Sequence, residues 1–207
     1  MTPSAAAPGA SSLEEKAALR AAALARRDAL EPDARLAASR VFAESGMRAL
    51  GDVAGLIVSG FWPIRSELDP RWLMRSLAAA GAALALPSIE GGKLVFRRFA
   101  FGDRLRGAGF GLSEPQLEAE LVAPDAMLVP LAAFDRVGGR IGYGKGYYDG
   151  AIARLAAQAG RPRTLGLAFA CQEVARVPML PHDQRLDAIL TERELIQAGG
   201  AAVPRPP

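Results

Sequence analysis

Cysteine, histidine and long apolar runs are scarce in this sequence, and each scarcity argues against a class of protein. The single cysteine, Cys171, can form no internal disulfide, which agrees with a reducing compartment. No apolar run approaches the roughly 18 residues that a membrane span needs. The N-terminal stretch also lacks the basic flank and apolar core of a signal peptide. We therefore expect a cytoplasmic protein without a membrane partner.

A clustered charge of one sign is also missing, although the isoelectric point of 9.4 invites a nucleic-acid interpretation. The net charge is only +3, and acidic residues are mixed among the basic ones throughout. Since no basic stripe with interleaved aromatic residues appears, the sequence predicts no nucleic-acid partner. Lysine is scarce as well, because only Lys16, Lys93 and Lys145 are lysines among 25 basic residues. A lysine inside a glycine-rich loop, as at Lys145, indicates a use for its compact ammonium group.

The glycine-rich segment 134–149 combines glycines with charged side chains. It reads Phe-Asp-Arg-Val-Gly-Gly-Arg-Ile-Gly-Tyr-Gly-Lys-Gly-Tyr-Tyr-Asp. A strand-like apolar run precedes it and a helix-like run follows it. Backbone N–H groups converge at such a helix start, and together with the helix dipole they can hold a phosphate. The spaced glycines Gly142, Gly144 and Gly146 indicate positive φ angles or a close approach of bare backbone to a ligand.

The segment matches neither of two familiar phosphate-binding patterns. It reads G-x-x-x-x-G-K up to Lys145, but Gly146 stands where a P-loop has Ser or Thr, and Tyr147 breaks the pattern G-x-G-x-x-G. A tight glycine turn with charged decoration is the plainer interpretation. Arg140, Lys145 and Asp149 favour the phosphate interpretation, because cations suit an anionic ligand and a carboxylate on the first helical turn could hold Mg²⁺.

Apolar residues make up 50% of the chain and charged residues 23%, as in one globular domain. We expect a disordered N-terminal tail over 1–11, a single domain over 12–197 and a flexible tail over 198–207. The predicted helices cover 12–30, 33–50, 71–80 and 148–159, and the predicted strands cover 53–61, 82–86, 93–99, 126–131, 163–169 and 187–191. Their alternation predicts an α/β sheet with helices on both faces.

Local signals set the ends of these elements. Ser12 and Glu15 form a capping box that starts the first predicted helix, and Asp33 can cap the second. Asp69, followed by proline, can cap the third. Pro87 closes the second predicted strand, residues 93–99 are typical of an edge strand or hairpin, and residues 110–115 are typical of a loop.

Candidate ligand-binding side chains also occur outside the glycine-rich segment. Lys16 and Arg20 lie four residues apart and so project from one face of the first helix, where a solvated face paired with nearby glutamates is the plainer interpretation. Trp62 and Glu67 follow the end of a buried strand, where open α/β sheets gather ligands. From pattern alone Glu67 is equally consistent with an ordinary surface carboxylate.

Four stretches resemble the 5-formyltetrahydrofolate cyclo-ligase family, also called 5,10-methenyltetrahydrofolate synthetase. They are residues 16–20, 61–67, 129–149 and 181–187, in the family's order and spacing, and the third is highly specific. The resemblance implies a single-domain, three-layer αβα fold with a mostly parallel, Rossmann-like central sheet. It also implies ATP- and Mg²⁺-dependent ring closure of 5-formyltetrahydrofolate to 5,10-methenyltetrahydrofolate, with release of ADP and phosphate.

The same resemblance assigns roles to individual residues. Arg140 and Lys145 would be catalytic, Asp149 and Asp183 would hold Mg²⁺, and His182 receives no role. The ATP site would comprise Lys16, Arg20, Arg140, Ile141, Gly142, Tyr143, Gly144, Lys145, Gly146, Tyr147 and Tyr148. The folate would contact Trp62, Glu67, Tyr143, Gly144, Lys145, Gly146 and Tyr147. For Lys16 and Arg20 this role replaces the solvated-face interpretation, while Tyr143 stands at a variable position of the family's loop.

The implied chemistry suits these residue types. A formamide is a poor electrophile, so ATP would phosphorylate the formyl oxygen, and N10 would then attack the formyl carbon. Phosphoryl transfer needs positioning and charge neutralisation rather than a protein nucleophile, which fits a sequence without a Ser-His-Asp or Cys-His set. We expect a monomer with small-molecule partners. Two alternatives stay open, a different ATP-using enzyme with the same loop and a non-catalytic binding protein.

Overall fold

The computed structural model describes residues 8–109 and 111–198. Within these residues the helices are α1 (Pro8–Asp28), α2 (Pro32–Leu50), α3 (Arg71–Ala79) and α4 (Tyr147–Gln158), with a 3-10 helix at Ala170–Gln172. The strands are β1 (Ile57–Ser59), β2 (Ala83–Glu90), β3 (Lys93–Phe99), β4 (Leu105–Gly107), β5 (Ser113–Pro115), β6 (Ala126–Pro130), β7 (Ala133–Phe134), β8 (Arg140–Ile141), β9 (Arg163–Leu167), β10 (Ala188–Leu190) and β11 (Leu195–Gln197).

Seven of these strands form the central sheet in the order β11-β10-β9-β6-β1-β2-β3. The five inner strands pair in parallel, while β3 and β11 are antiparallel at the two edges. The chain moves outward from β1 through α3 to β2, and later returns to the other side of β1 as β6. This reversal makes a topological switch point between β1 and β6. In open α/β sheets ligands bind at such a point, outside the carboxyl ends of the strands.

Apolar clusters cover both faces of this sheet. One cluster joins Phe42 of α2 and Leu77 of α3 to Leu128 of β6. The other joins Ile152 of α4 to Met127 of β6. Since Met127 and Leu128 are successive strand residues, their side chains point to opposite faces. The fold is therefore a three-layer αβα sandwich with a mostly parallel sheet, which confirms the predicted fold class.

Two predicted helix starts are wrong. Helix α1 begins at Pro8, so Ser12 lies inside the helix rather than at its cap, and the helix includes residues 8–11 of the predicted tail. Helix α2 begins at Pro32, with Asp33 in its first turn. Proline suits a first helical position because its φ is already helical and its missing N–H would have had no partner there. Residues 1–7 and 199–207 of the predicted tails lie outside the described residues.

The strand predictions need three corrections. Pro87 does not end β2, which pairs with β1 only as far as Ala85. Beyond this point none of the described strands pairs with that side of β2, which therefore accommodates proline. The predicted loop 110–115 contains β5, which pairs with β4, and Phe110 lies outside the described residues. Strands β4, β7, β8 and β11 were not predicted. The prediction for 93–99 is confirmed, because β3 forms both a hairpin with β2 and the sheet edge.

Candidate active site

The first half of the glycine-rich segment is a hairpin of β7 and β8. Its turn is held by the buried carboxylate of Asp135, which accepts hydrogen bonds from the N–H groups of Val137 (3.1 Å), Gly139 (2.8 Å) and Val177 (2.9 Å). A Cβ atom at Gly139 would lie 2.7 Å from Asp135 Oδ2, and Gly138 has φ +85°. These two glycines are therefore needed by the fold itself.

The other three glycines form the glycine loop, residues 142–146, between β8 and α4. Gly144 (φ +95°) and Gly146 (φ +65°) adopt the left-handed conformation that favours glycine. Gly142 does not, and a Cβ atom there would meet no other atom within 4 Å. Gly146 is the N-cap of α4, so the loop leads directly into converging backbone N–H groups. The predicted placement of the loop at a helix start is confirmed.

Helix α1 carries two of the predicted cations, one of which contacts this loop and the other Asp183. Lys16 is only 8% exposed, and its Nζ forms an ion pair with Asp183. Arg20 donates a hydrogen bond from Nε to the carbonyl oxygen of Gly142, at 2.7 Å. The interpretation of this pair as a solvated face is therefore wrong, since the α1 face that carries Lys16 and Arg20 is turned toward the site.

A third predicted cation, Arg140, belongs to β8, and its buried side chain reaches the first turn of α4. Its Nη1 donates to the carbonyl oxygen of Gln184, and its Nη2 lies 2.9 Å from Asp149 Oδ1. The Nη2 contact is an ion pair without hydrogen-bond geometry, so this buried nitrogen keeps donor capacity. Gln184 donates its backbone N–H to the same Asp149 oxygen at 2.8 Å. Burial lowers the pKa of Arg140, while Asp149 and Asp183 act in the opposite direction.

The two carboxylates predicted to hold Mg²⁺ lie together on this side of the loop. Asp183 Oδ2 accepts from the N–H of Leu180 (2.6 Å) and from Lys16. Burial by itself would raise the pKa of Asp183, but the Leu180 N–H and the Lys16 ammonium outweigh it and hold the pKa below its ordinary value. Asp149 Oδ2 and Asp183 Oδ1 accept no hydrogen bond from residues 8–109 or 111–198. Each carboxylate therefore has one oxygen left for another ligand.

Glu67 closes a tight turn after β1, on the opposite side of the switch point. Its N–H donates to the carbonyl oxygen of Ile64 (3.0 Å), and its Oε2 accepts from the Ile64 N–H (3.0 Å). Arg65 in this turn has φ 53°, a left-handed conformation that is strained for a non-glycine residue. Burial raises the pKa of Glu67, opposed by the Ile64 N–H, the Tyr143 hydroxyl and the Arg27 charge.

The three tyrosines of the segment have different environments. Tyr143 is 40% exposed, and its hydroxyl donates to Glu67 Oε1 at 2.8 Å. Tyr147 and Tyr148 are half-buried and pack against the core cluster of α4. Burial raises the pKa of Tyr148. Tyr143 is therefore the loop tyrosine whose hydroxyl contacts Glu67, the carboxylate predicted to bind folate. Lys145, in the same loop, is exposed.

Trp62 contacts a different set of side chains from Glu67. Its ring lies edge-to-face against Phe99, with 5.9 Å between centroids, and the Arg71 guanidinium lies 5.0 Å from the ring centre. These partners belong to β3 and α3. Trp62, Arg71 and Trp72 line a cavity of about 240 Å³. The contact between Trp62 and folate stays a prediction.

Sequence reasoning missed Arg27, which is 2% exposed at the last turn of α1. Its Nε donates to Ser66 Oγ (3.0 Å) and its Nη1 to the Tyr143 hydroxyl (3.1 Å). A signal was available, because Arg27 follows Arg20 by seven residues and Lys16 by eleven. These spacings are about two and three helical turns, so all three cations share one face of α1.

Comparison with known proteins identifies the family. The model of the 5-formyltetrahydrofolate cyclo-ligase family matches residues 12–192. The chain belongs to this family. The 5-formyltetrahydrofolate cyclo-ligase of Escherichia coli (strain K12) is 30% identical over 173 residues, which cover 80% of this chain and 94% of that protein. The cyclo-ligase of Mycolicibacterium smegmatis is 31% identical over 156 residues, 70% of this chain and 78% of that protein.

Solved structures agree with the cyclo-ligase assignment. The 5,10-methenyltetrahydrofolate synthetase of Aquifex aeolicus superposes with a TM-score of 0.74 at 29% identity, over 92% of this chain and 96% of that chain. The synthetase of Mycoplasma pneumoniae, at 21% identity and a TM-score of 0.67, supports the fold alone. Like its relatives, this cyclo-ligase family member is an enzyme. None of the described helices is both long enough and apolar enough to cross a membrane.

Proposed function

We propose that this cyclo-ligase family member converts 5-formyltetrahydrofolate into 5,10-methenyltetrahydrofolate, with ATP as co-substrate and Mg²⁺ as cofactor. Family membership supports the folate substrate. One observation supports the nucleotide: Arg20 contacts the glycine loop, while Lys16 and Arg140 pair with the predicted metal ligands Asp183 and Asp149, although Lys16 and Asp183 are 167 residues apart in sequence. A monomer in the cytoplasm, expected from the sequence, stays a prediction.

The cations and carboxylates of the site alternate in a way that suits exchange with a nucleotide. Lys16 pairs with Asp183, and Arg140 pairs with Asp149. Without a ligand, these two buried cations and two carboxylates neutralise each other in a partly desolvated site. When ATP binds, phosphate oxygens would replace the two carboxylates as partners of Lys16 and Arg140. The Nη2 atom of Arg140 already has unused donor capacity. Charge-assisted bonds to phosphate are among the strongest that such side chains form.

The carboxylates left by this exchange fit Mg²⁺. The described residues contain no group of three or more His, Cys, Asp or Glu side chains that could hold a metal ion by itself. Mg²⁺ does not need one, because it is usually bound by one or two carboxylates together with substrate phosphates and waters. Asp149 and Asp183, each with one oxygen free of protein hydrogen bonds, would hold it. Bound there, Mg²⁺ would neutralise charge on the phosphates.

The reaction we propose needs no protein nucleophile. The formyl oxygen attacks the γ-phosphorus of ATP and ADP leaves, which gives a phosphorylated imidate. N10 then attacks the former formyl carbon, loses its proton, and the C–O bond breaks to release phosphate. Lys145 and Arg140 would neutralise the transferred phosphoryl group, and the α4 N-terminus would orient it. The exposure of Lys145 on the loop leaves it able to approach such a ligand.

Glu67 would recognise the pterin ring. Its carboxylate accepts bonds from Ile64 and Tyr143, which fixes it in one orientation beside the glycine loop. A fixed carboxylate is a suitable acceptor for the donor nitrogens of a pterin, and the Tyr143 ring would supply an apolar face near it. The distance in sequence between Glu67 and Tyr143 is 76 residues, so the fold brings the folate and phosphate ends of the site together.

The direct test is to mix the protein with 5-formyltetrahydrofolate, ATP and Mg²⁺, and to follow the methenyl chromophore together with ADP. We expect both products in equal amounts, and neither when ATP is omitted or Mg²⁺ is chelated. ADP without the chromophore would instead indicate a different ATP-using enzyme. Neither product, with intact nucleotide binding, would indicate a binding protein.

A further inference from the structure

Arg27 is a buried cation that the reaction scheme above does not use. Its side chain is enclosed between α1, the turn before Glu67 and the glycine loop, and it is one of the largest fully buried side chains of the described residues. The nearest carboxylate oxygen, Asp28 Oδ1, lies 3.7 Å from Nε, and the Asp28 side chain is largely exposed. Such a loose, solvated ion pair stabilises a protein little. Burying a charge is costly, so this arrangement is a poor device for stability alone.

The hydrogen bonds of Arg27 go to two hydroxyl groups instead. A guanidinium can only donate, so the oxygens of Ser66 and Tyr143 must accept from it. Each hydroxyl then has its own proton to give, and each gives it to a carboxylate. Ser66 donates to Asp28, and Tyr143 donates to Glu67. Each hydroxyl is therefore held between the donor-only guanidinium of Arg27 and an acceptor-only carboxylate, and this fixes its orientation.

These contacts tie the two halves of the site to one helix. Ser66 precedes Glu67 in its turn, and Tyr143 belongs to the glycine loop. Lys16 and Arg20, on the same face of α1, hold Asp183 and the Gly142 carbonyl. Eleven residues of helix separate Lys16 from Arg27, about 16 Å. One face of helix α1 thus spans the site from Asp183, which is predicted to bind Mg²⁺, to the surroundings of Glu67, which is predicted to bind folate.

We propose that Arg27 is a positioning residue for folate, which orients Glu67 through the Tyr143 hydroxyl and the Ser66 turn. The proposal rests on the proposed function, because it concerns the folate half of that site. Arg27 itself need not touch either substrate. Its removal should therefore weaken the use of folate and leave ATP binding, which depends on Lys16, Arg20 and Arg140, largely intact.

The test is steady-state kinetics of methenyl formation for the parent, Arg27→Gln, Arg27→Lys, Tyr143→Phe and the Arg27→Gln/Tyr143→Phe double variant. Arg27→Gln should raise the KM for 5-formyltetrahydrofolate several-fold and change the KM for ATP less than twofold. Arg27→Lys should recover part of the loss, because lysine keeps the charge but cannot bridge Ser66 and Tyr143 with a planar fork. Tyr143→Phe should raise the folate KM several-fold, and the double variant should behave like Arg27→Gln alone.

A pH profile gives a readout that a purely structural role would not change. The charged and titratable groups around Glu67 are Arg27 of α1, Arg65 of its own turn, Tyr143 of the glycine loop and Tyr148 of α4. Loss of the Arg27 charge removes one of the influences that oppose burial. The acidic limb of the folate affinity should therefore move to higher pH in Arg27→Gln.

Arg97→Gln is the matched control, because Arg97 is also a buried arginine but lies on the edge strand β3 and pairs with Glu90 of β2. It should lower the melting temperature without changing either KM. Equal rises in the folate and ATP KM of Arg27→Gln would overturn the proposal, as would additive effects in the double variant. If Arg27→Gln does not fold, Tyr143→Phe decides alone, and a parent-like folate KM contradicts the proposal. A parent that forms no methenyl product would contradict the proposed function as well.

Discussion

Gly166 in β9 and Gly142 in the glycine loop would respond differently to the same added methyl group. At Gly166 a Cβ atom would lie 2.6 Å from Leu186 Cδ1 and 2.9 Å from Leu131 Cδ2, inside the packed core. At Gly142 it would meet no atom within 4 Å, and the backbone there is not left-handed. The sheet glycine is explained by its neighbours in the protein. The loop glycine is not, so we attribute it to a ligand that must come close to the backbone.

A second comparison contrasts a surface cation with the buried cations beside the glycine loop. Arg136 lies at the surface and pairs with Glu173 and Glu194, an arrangement that stabilises a fold only slightly. Lys16 and Arg140 are buried beside the glycine loop, where each has a carboxylate partner. Burial of paired charges seldom stabilises a protein relative to apolar side chains. Charges buried at the loop therefore indicate binding chemistry rather than stability.

Among the variants that test this comparison, Asp149→Asn should change activity the most. Loss of the carboxylate charge should lower turnover by about 10²-fold or more, the scale of losing one charge-stabilising element. Asp149 is not a free surface carboxylate, since it pairs with buried Arg140, so any neutral side chain at this position also removes the counter-charge of Arg140. Asparagine keeps an acceptor for the Gln184 N–H. Turnover is measured in a saturating Mg²⁺ titration, where activity close to that of the parent would contradict the metal assignment.

The next effect concerns the sheet side of the comparison. Gly166→Ala should destabilise the protein by about 1–3 kcal/mol, the usual cost of adding volume to a packed core. A thermal melt should show a drop of several degrees, since about 2–4 °C corresponds to 1 kcal/mol at this chain length. Calorimetry should find nucleotide affinity unchanged in the folded protein. A parent-like melting temperature would mean that the core at Leu186 and Leu131 can relax.

The smallest effect is expected from Glu67→Gln. Glutamine keeps one acceptor but loses the charge, which is worth about 1 kcal/mol in a hydrogen bond, so the folate KM should rise several-fold. Because burial raises the pKa of Glu67, the parent should lose folate affinity on acidification at a higher pH than an exposed glutamate would. The variant should lack this acidic limb. Equal damage to folate and ATP binding would show that Glu67 acts through the fold.

The parts of the fold that local physics determines were predictable. Strand β6 is buried on both faces, and its continuous apolar run 126–130 indicates this directly. The glycine loop before α4 was also predicted. For Lys16 and Arg20 the helix pattern alone favoured a solvated face, and only the family resemblance assigned them to the ATP site. The extent of α1 was not, because Ser12 with Glu15 imitates a helix start although Pro8 opens the helix.

Contacts between distant segments could not be predicted from the chain alone. The hydrogen bonds that join Arg27 to Ser66 and Tyr143 span 39 and 116 residues, and only the assembled sheet brings these residues together. The same holds for the pairing of predicted cations with predicted metal ligands. Lys16 with Asp183 and Arg140 with Asp149 were assigned to phosphate and metal separately, and their mutual neutralisation appears only in the structure.

The most direct measurement is calorimetric titration of Gly142→Ala with a non-hydrolysable ATP analogue, beside a thermal melt. The parent and Gly166→Ala serve as references. If the loop glycine keeps the backbone open to phosphate, ATP affinity should fall at least tenfold, about 1.4 kcal/mol. The melting temperature should stay close to that of the parent, because an alanine Cβ would meet no protein atom within 4 Å. A lower melting temperature with intact nucleotide affinity would contradict the account and leave the loop a structural turn.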